Sequence, residues 1–473
     1  MTFLVDAPLG AGTRDVIEPA TGAVLGTVGL AAPSDVAPAA AAAARAQREW
    51  AAASFEERAG VLRRAGALFE TRAKDVEEWL VREAGSIPPK AGVETHVAAQ
   101  ECYEAAALAA RPLGEILPSA LPRLSLARRS PVGVVGVIAP FNFPLILAIR
   151  AVAPALAVGN AVVLKPDPRT AVGGGFAIAA ILREAGLPEG VLHVLPGFAD
   201  VGAALVEDPT VRVIAFTGST AAGRKVAELA GRHLKRVHLE LGGNSALIVL
   251  PDADLDRAVS AGAWGAYLHA GQICMTTGRH LVHESIADEY VARLAAHAEA
   301  LPVGDPHTEQ VALGPLIDEG QRDKVHALVT ATVDGGARLV AGGRYDRLFY
   351  RPTVLDAVPT GAPAYANEVF GPVAPVVRFA TEEEAVALAA DSELGLSLGI
   401  LTGDAMRGLA LAERISTGIV HINDQTVNDE AVAPFGGVRD SGTGARAGGS
   451  GNIDAYTDLR WITMRGSIPQ YPF

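Results

Sequence analysis

Cys274 lies in Gly271-Gln272-Ile273-Cys274-Met275-Thr276-Thr277-Gly278, a polar, glycine-flanked loop that follows a helical run. A thiolate held there is open to substrate and can attack a carbonyl carbon. A lone cysteine fits a small buried hydrophobe equally well, and the residue alone leaves both readings open. Glu240 heads Glu240-Leu241-Gly242-Gly243-Asn244 at a strand end, where glycine backbone can bend and leave space beside a carboxylate. Such a carboxylate suits a general base, or the cap of a helix. Asn142 sits in the rigid turn Pro140-Phe141-Asn142-Phe143-Pro144, where its amide needs a partner, either backbone or a developing oxyanion. Cys102, within the helical Glu101-Cys102-Tyr103-Glu104-Ala105, has no such context and reads as structural.

Two further features suit a phosphorylated ligand. Thr217-Gly218-Ser219-Thr220-Ala221-Ala222-Gly223 follows an apolar strand and opens a helix, so backbone amides can approach a phosphate at a helix N-terminus. The spacing is G-x-x-x-x-G, not the G-x-G-x-x-G dinucleotide fingerprint, and a turn that serves packing alone fits too. Lys165-Pro166 closes another strand, where open α/β sheets bind ligands; Lys165 could bond a ribose hydroxyl or lie in a solvated loop.

The elements that must position these residues follow from periodicity. Residues 34–110 form an Ala-rich amphipathic helical region. The Pro/Gly-rich, basic passage Arg111 to Arg129 reads as a connection or projecting hairpin. Strands are expected at Val132 to Ile138, Ala161 to Lys165, Val191 to Leu195, Val211 to Phe216 and Arg236 to Glu240, with helices between them. This alternation predicts right-handed crossovers and a doubly wound parallel sheet ending near Gly243. A second α/β run follows, with helices at Leu255 to His269, Ser285 to Ala300, Gly320 to Asp334 and Glu382 to Ala390. Its strands are expected at Arg279 to Val282, near Arg338 to Val340 and at Val373 to Phe379. Tyr456 to Met464 looks extended and could pair with another subunit.

Composition removes several classes. The 473 residues carry 40 Lys+Arg against 53 Asp+Glu, a net charge of −13, so a basic footprint for nucleic acid or anionic lipid is missing. Fifty-one glycines and thirty prolines show no period, which excludes collagen and low complexity. Two cysteines are too few for a disulfide framework or a cysteine-based zinc site, and no metal site is expected. Met1 to Asp6 shows no export signal, so a reducing, cytoplasmic location is expected. Val132 to Ile149 is uncharged and long enough to mimic a membrane span, but Pro140, Asn142 and Pro144 interrupt it.

Taken in order, these motifs resemble the aldehyde dehydrogenase superfamily over nearly the whole chain, joined by Glu368-Val369-Phe370-Gly371-Pro372 and Pro434-Phe435-Gly436-Gly437. Ser441-Gly442-Thr443-Gly444-Ala445-Arg446 and Leu459-Arg460-Trp461-Ile462-Thr463 further resemble the benzaldehyde and vanillin dehydrogenase branch. The resemblance implies a dinucleotide-binding domain (1–112 and 132–243), a catalytic domain (244–441) and an oligomerisation arm (113–131 and 455–467) in a homodimer or homotetramer. It implies oxidation of an aldehyde, expected to be aromatic, to its acid with NAD or NADP. Cys274 would be the nucleophile, Asn142 with the Cys274 N–H the oxyanion site, and Glu240 the base that hydrolyses the thioester. Lys165 would contact the adenosine ribose, Gly218, Ser219 and Gly223 belong to the diphosphate turn, and Glu368 and Phe370 would contact the nicotinamide ribose. An aliphatic aldehyde or semialdehyde is the alternative substrate; a CoA-acylating enzyme has little use for Glu240, and a non-catalytic protein little use for Cys274, Glu240 and Asn142 together.

Two departures carry consequences. Pro168 stands where some relatives have an acidic residue that disfavours a 2′-phosphate, and Arg169 follows it, which leaves NADP open. Ala447 stands where some relatives have a second carboxylate, so proton removal would rest on Glu240 and water. Arg150, eight residues after Asn142, could point into the substrate tunnel and attract a phenolic or carboxylated ring, or cover a subunit contact.

Overall fold

The computed structural model describes Phe3, Leu4 and residues 7–473; Met1, Thr2, Val5 and Asp6, on which the absence of an export signal was partly read, lie outside the described residues. Five strands, β1 (Val134–Ile138), β2 (Ala161–Lys165), β3 (Leu192–Val194), β4 (Val211–Thr217) and β5 (Arg236–Glu240), form one wholly parallel sheet in the order β3-β2-β1-β4-β5. β1, β2 and most of β4 are fully buried runs of Val, Ile, Ala and Leu, the pattern of strands covered on both faces. The order reverses between β1 and β4, which opens a crevice beyond their carboxyl ends, where Lys165 and Thr217 stand. The helices that cover this sheet include α1 (Pro88–Leu108), α2 (Pro144–Ala157) and α3 (Thr220–Arg232). Cys102 is fully buried in α1, as expected of a structural residue.

The uncharged stretch 132–149 is strand, turn and helix, and no helix among the described residues is long and apolar enough to cross a membrane. The helix expected between β2 and β3 opens instead with a π-helical turn, Val172–Phe176. There the buried Glu83 carboxylate accepts from the Val172 and Gly173 amides.

A second sheet has seven strands: β6 (Ser245–Val249), β7 (Thr277–His283), β8 (Arg338–Ala341), β9 (Thr353–Asp356), β10 (Val373–Phe379), β11 (Ser397–Leu401) and β12 (Ile419–Ile422), in the order β8-β9-β10-β7-β6-β11-β12. Only the β8–β9 pair is antiparallel. Its core is a separate cluster from that of the first sheet. The helix from Leu255 stops at Tyr267, two residues short of the expected His269, which lies with Ala270 in left-handed backbone.

The hairpin expected near 111–129 exists as Gly114–Ile116 and Leu124–Pro131. Thr457–Met464 is indeed a strand, but it pairs with Leu124–Pro131 of its own chain, Thr457 opposite Pro131 through Met464 opposite Leu124. Intrachain pairing satisfies one edge; the outer edge, with exposed Leu459, Trp461 and Met464, has no partner strand among the described residues.

The two sheets are joined where the link between β5 and β6 crosses the loop before β7. A Cβ built on Gly243 would overlap the Cys274 carbonyl oxygen, so only glycine allows that approach. Gly243→Ala is therefore expected to destabilise the protein by about 1–3 kcal/mol. This would be seen as a lower urea midpoint at unchanged m value; an unshifted midpoint would show that the two segments have room to part.

Candidate active site

The nucleophile loop is built from strained backbone. His269 (φ 50°), Ala270 (φ 51°) and Gly271 (φ 68°) are consecutive left-handed residues, and a side chain at Gly271 would overlap the Gly371 carbonyl. For His269 and Ala270 that conformation costs about 1–2 kcal/mol each, offset by surrounding bonds. Gln272 Oε1 accepts from Ile317 N at 3.0 Å, Thr276 Oγ1 donates to the Gly271 carbonyl at 3.0 Å, and Thr426 Oγ1 donates to the Met275 carbonyl at 2.7 Å. Cys274 is half-buried at the end of this run. Burial, with the Glu368, Glu240 and Asp429 carboxylates adding to it, pushes its thiol up to about 12, so the resting group is protonated.

Asn142 is buried, and its Nδ2 donates to the Gln272 carbonyl at 2.9 Å, two residues from the thiol. One amide hydrogen is thereby occupied and the side chain oriented; the second remains for a ligand. The Asn142 carbonyl accepts from Lys90 Nζ at 2.7 Å, and Lys90 is ion-paired with Glu94, both on α1 and both buried. Glu94 Oε2 in turn accepts from Leu145 N (3.1 Å) and Ile146 N (3.4 Å), the opening amides of α2.

Glu240 ends β5, and its Oε2 is buried with no hydrogen-bond partner among the described residues. Burial raises it to about 8, against the opposing pull of the Arg150 and Arg446 cations and a backbone N–H of Gly437. Gly436 makes room for it, since a Cβ there would crowd Glu240 Oε1.

Between Asn142, Cys274 and Arg150 lies a cavity of about 190 Å³, walled by apolar groups including Phe143, Ile146, Leu268, Val427 and Phe435. Its polar edge is Arg150, whose Nε donates to Glu101 at 2.9 Å and whose second terminal nitrogen is ion-paired with Asp429. The guanidinium lies 4.7 Å from the Phe435 ring centroid. Arg150 Nη1 and Asp429 Oδ1 are both buried without partners among the described residues.

Of the remaining expected contacts, Lys165 and Glu368 each line a cleft. One, of about 740 Å³, is bounded by Lys165, Phe198, Phe216, Val226 and Leu229 at the carboxyl end of the first sheet. Lys165 Nζ donates to the Gly197 carbonyl at 2.7 Å, and burial lowers its pKa. The other, of about 990 Å³, holds Glu368 beside Thr220 and Ala221 at the start of α3. Burial raises Glu368 to about 7. Its Oε1 accepts from Gly243 N at 3.0 Å, and a Cβ on Gly242 would crowd its other oxygen. Phe370 is left-handed (φ 55°) with its ring edge-on to Phe141. An apolar slot, a helix N-terminus and a buried lysine fit the adenine, diphosphate and ribose of a dinucleotide.

Three expectations change. Gly218 N donates to the Glu240 carbonyl at 3.0 Å and is occupied, so within the turn Ser219 and the first amides of α3 are the ones left to meet a phosphate. Gly223 N is bonded to the Ser219 carbonyl at 2.9 Å, and a Cβ there would overlap Leu241; this glycine serves helix packing, not phosphate contact. Arg169 is neutralised by Asp167 (2.8 Å) and Asp318 (2.5 Å) and stacks on Phe141 at 4.3 Å, so its charge is already partnered. Lys90, Glu94, Glu101 and Asp429 were not anticipated. An i, i+4 Lys–Glu pair in an Ala-rich helix reads as a solvent-facing pair, and the Arg150–Asp429 contact spans 279 positions.

The aldehyde dehydrogenase family profile matches residues 8–462. A vanillin dehydrogenase from Amycolatopsis is 69% identical over 98% of this chain and 95% of its own length. A benzaldehyde dehydrogenase (NAD+) from Pseudomonas putida is 51% identical, with the same shares covered. The crystal structure of a salicylaldehyde dehydrogenase from Pseudomonas putida G7, complexed with salicylaldehyde, superposes with a TM-score of 0.95 at 38% identity, covering 100% of this chain and 99% of that one. With its doubly wound parallel sheet, second α/β sheet and a cysteine, glutamate and asparagine gathered at their junction, the chain belongs to the aldehyde dehydrogenase family.

Proposed function

We propose that this enzyme oxidises an aromatic aldehyde to its carboxylic acid, using a nicotinamide dinucleotide. The observation that carries the substrate class is the largely apolar cavity at Cys274, about 190 Å³, since an apolar cavity of about 150 Å³ admits a benzene ring. The names of the vanillin, benzaldehyde and salicylaldehyde relatives support the same class.

In the reaction Glu240 takes the Cys274 proton, and the thiolate adds to the aldehyde carbon. The free Nδ2 hydrogen of Asn142 and the Cys274 N–H hold the oxyanion. Oxidation of this adduct to a thioester is the chemistry that a bound nicotinamide supplies. Once Glu240 has released that first proton to solvent, its carboxylate takes a proton from the water that attacks the thioester carbonyl, and passing this proton to the departing sulfur restores the thiol as the acid leaves. Lys165 holds the adenosine ribose, the amides from Ser219 onward the diphosphate, and Glu368 and Phe370 the nicotinamide ribose. NAD is the better cofactor, because the guanidinium nearest Pro168 is already paired with Asp167 and Asp318.

Residues 1–112 and 132–243 form the dinucleotide-binding unit and 244–441 the catalytic unit, while 113–131 and 455–467 form the arm of a homodimer or homotetramer, with the outer edge of Thr457–Met464 as the contact. The enzyme works in the cytoplasm, where its two free thiols stay reduced. Arg150 and Asp429 line the cavity, and each has one buried polar atom without a partner among the described residues, a donor on one and an acceptor on the other, which together suit a neutral ring hydroxyl. Glu101 and Asp429 outnumber Arg150 there, which disfavours an anionic semialdehyde.

Cys274→Ala is expected to abolish turnover and still bind NAD+ more tightly than NADP+ in a fluorescence titration; residual turnover above about 10⁻³ of wild type would remove Cys274 as nucleophile. A base must be deprotonated to act, so with Glu240 raised to about 8 the value of kcat/KM should climb with pH and level off above that point. Glu240→Gln should slow both the first turnover of reduced cofactor and the steady rate by about 10²-fold or more; an unchanged steady rate contradicts the base role. Arg150→Ala should lower kcat/KM about tenfold more for hydroxylated benzaldehydes than for benzaldehyde, and an equal loss on both would sink the recognition role.

A further inference from the structure

We infer that the buried Lys90–Glu94 pair positions the oxyanion donor, setting Asn142 from behind while the nucleophile loop sets it from in front. This rests on the reading of Asn142 as an oxyanion donor. A buried ion pair is weak evidence for stability, because desolvating the two charges offsets most of their attraction, so its role lies in what it orients. Lys90 has three N–H groups and three acceptors: Ser86 Oγ at 3.0 Å, Glu94 Oε1 and the Asn142 carbonyl at 2.7 Å. Although its stem reaches the cavity wall, the ammonium has no donor left for substrate.

Glu94 completes the hold. Its Oε2 bonds the Leu145 and Ile146 amides, where a carboxylate is favoured by the helix N-terminus and where Phe143 supplies no side-chain cap. One turn of α1 thus fixes both the carbonyl of Asn142 and the first amides after Pro144. The clamp also touches the other half of the site. Lys90 Nζ lies 4.1 Å from the Phe143 ring centroid, and that ring packs edge-on against His269, at 5.7 Å, in the left-handed run before Cys274. An oxyanion donor is sensitive to such support, since a displacement of about 1 Å can cost about 10²-fold in rate.

The test is a double-mutant cycle on the full-length enzyme, with kcat, aldehyde KM, NAD+ Kd and Tm measured for wild type, Lys90→Met, Asn142→Ala and the double variant. Lys90→Met should lower kcat about tenfold or more, with KM and Kd changed less than about twofold. In the Asn142→Ala background the same substitution should cost less than about twofold further, because the group it positions is gone. An equal loss in both backgrounds, or an unchanged kcat in a folded Lys90→Met protein, overturns the inference and leaves the oxyanion reading standing. An unchanged kcat in Asn142→Ala overturns the oxyanion reading and this inference with it. If Lys90→Met does not fold, Glu94→Gln removes the charge pair, keeps an oxygen for the α2 amides and is read through the same cycle.

Discussion

Glu240 and Cys274 are carried by different sheets, and the Glu240 carboxylate acts on the thiol because the segments that follow and precede them touch backbone to backbone at Gly243. Most of the site's geometry depends on that contact. Gly242 and Gly243 leave room for the Glu368 carboxylate, and Gly243 N bonds it. Gly271 permits a second close approach, to Gly371 two residues beyond Val369. Glycine recurs here because side chains would separate the two sheets by the width of a methyl group, and a separation of that size opens the site to water.

Enclosure sets the electrostatics. Cys274, Glu240 and Glu368 are each pushed toward their neutral forms chiefly by burial. Among the charges acting on the thiol, three carboxylates oppose ionisation and Arg150 favours it. The resting site is therefore a reservoir of protons rather than an exposed thiolate, and an unliganded cysteine of this kind is shielded from adventitious oxidation.

How much of this was legible in the sequence depends on the range of the interaction. β2, β5 and β10 were located to the residue because each is a short β-rich run with turn residues close by. Cys274 and Glu240 stood out because glycines stand close to them in the chain, whereas Glu368 entered only through the family resemblance. β6, β9, β11 and β12 were not read from the sequence, and since β6 and β11 are as long as β2 and β5, length is not what hid them. Gly223 was misread because helix packing and phosphate approach both need a missing side chain, and only the Leu241 contact distinguishes them. Lys90 and Glu94 stayed hidden because burial, which turns a surface-type pair into a clamp, is decided by the docking of α1 on α2.

Glu240 faces two compartments at once. Its carboxylate acts on the Cys274 thiol, while its carbonyl accepts from the Gly218 amide in the turn that opens α3. A single residue therefore links the surroundings of the thiol to the N-terminal turn of α3. Any displacement of the turn that opens α3 therefore reaches Glu240 through one hydrogen bond, with no moving domain or distant relay between them.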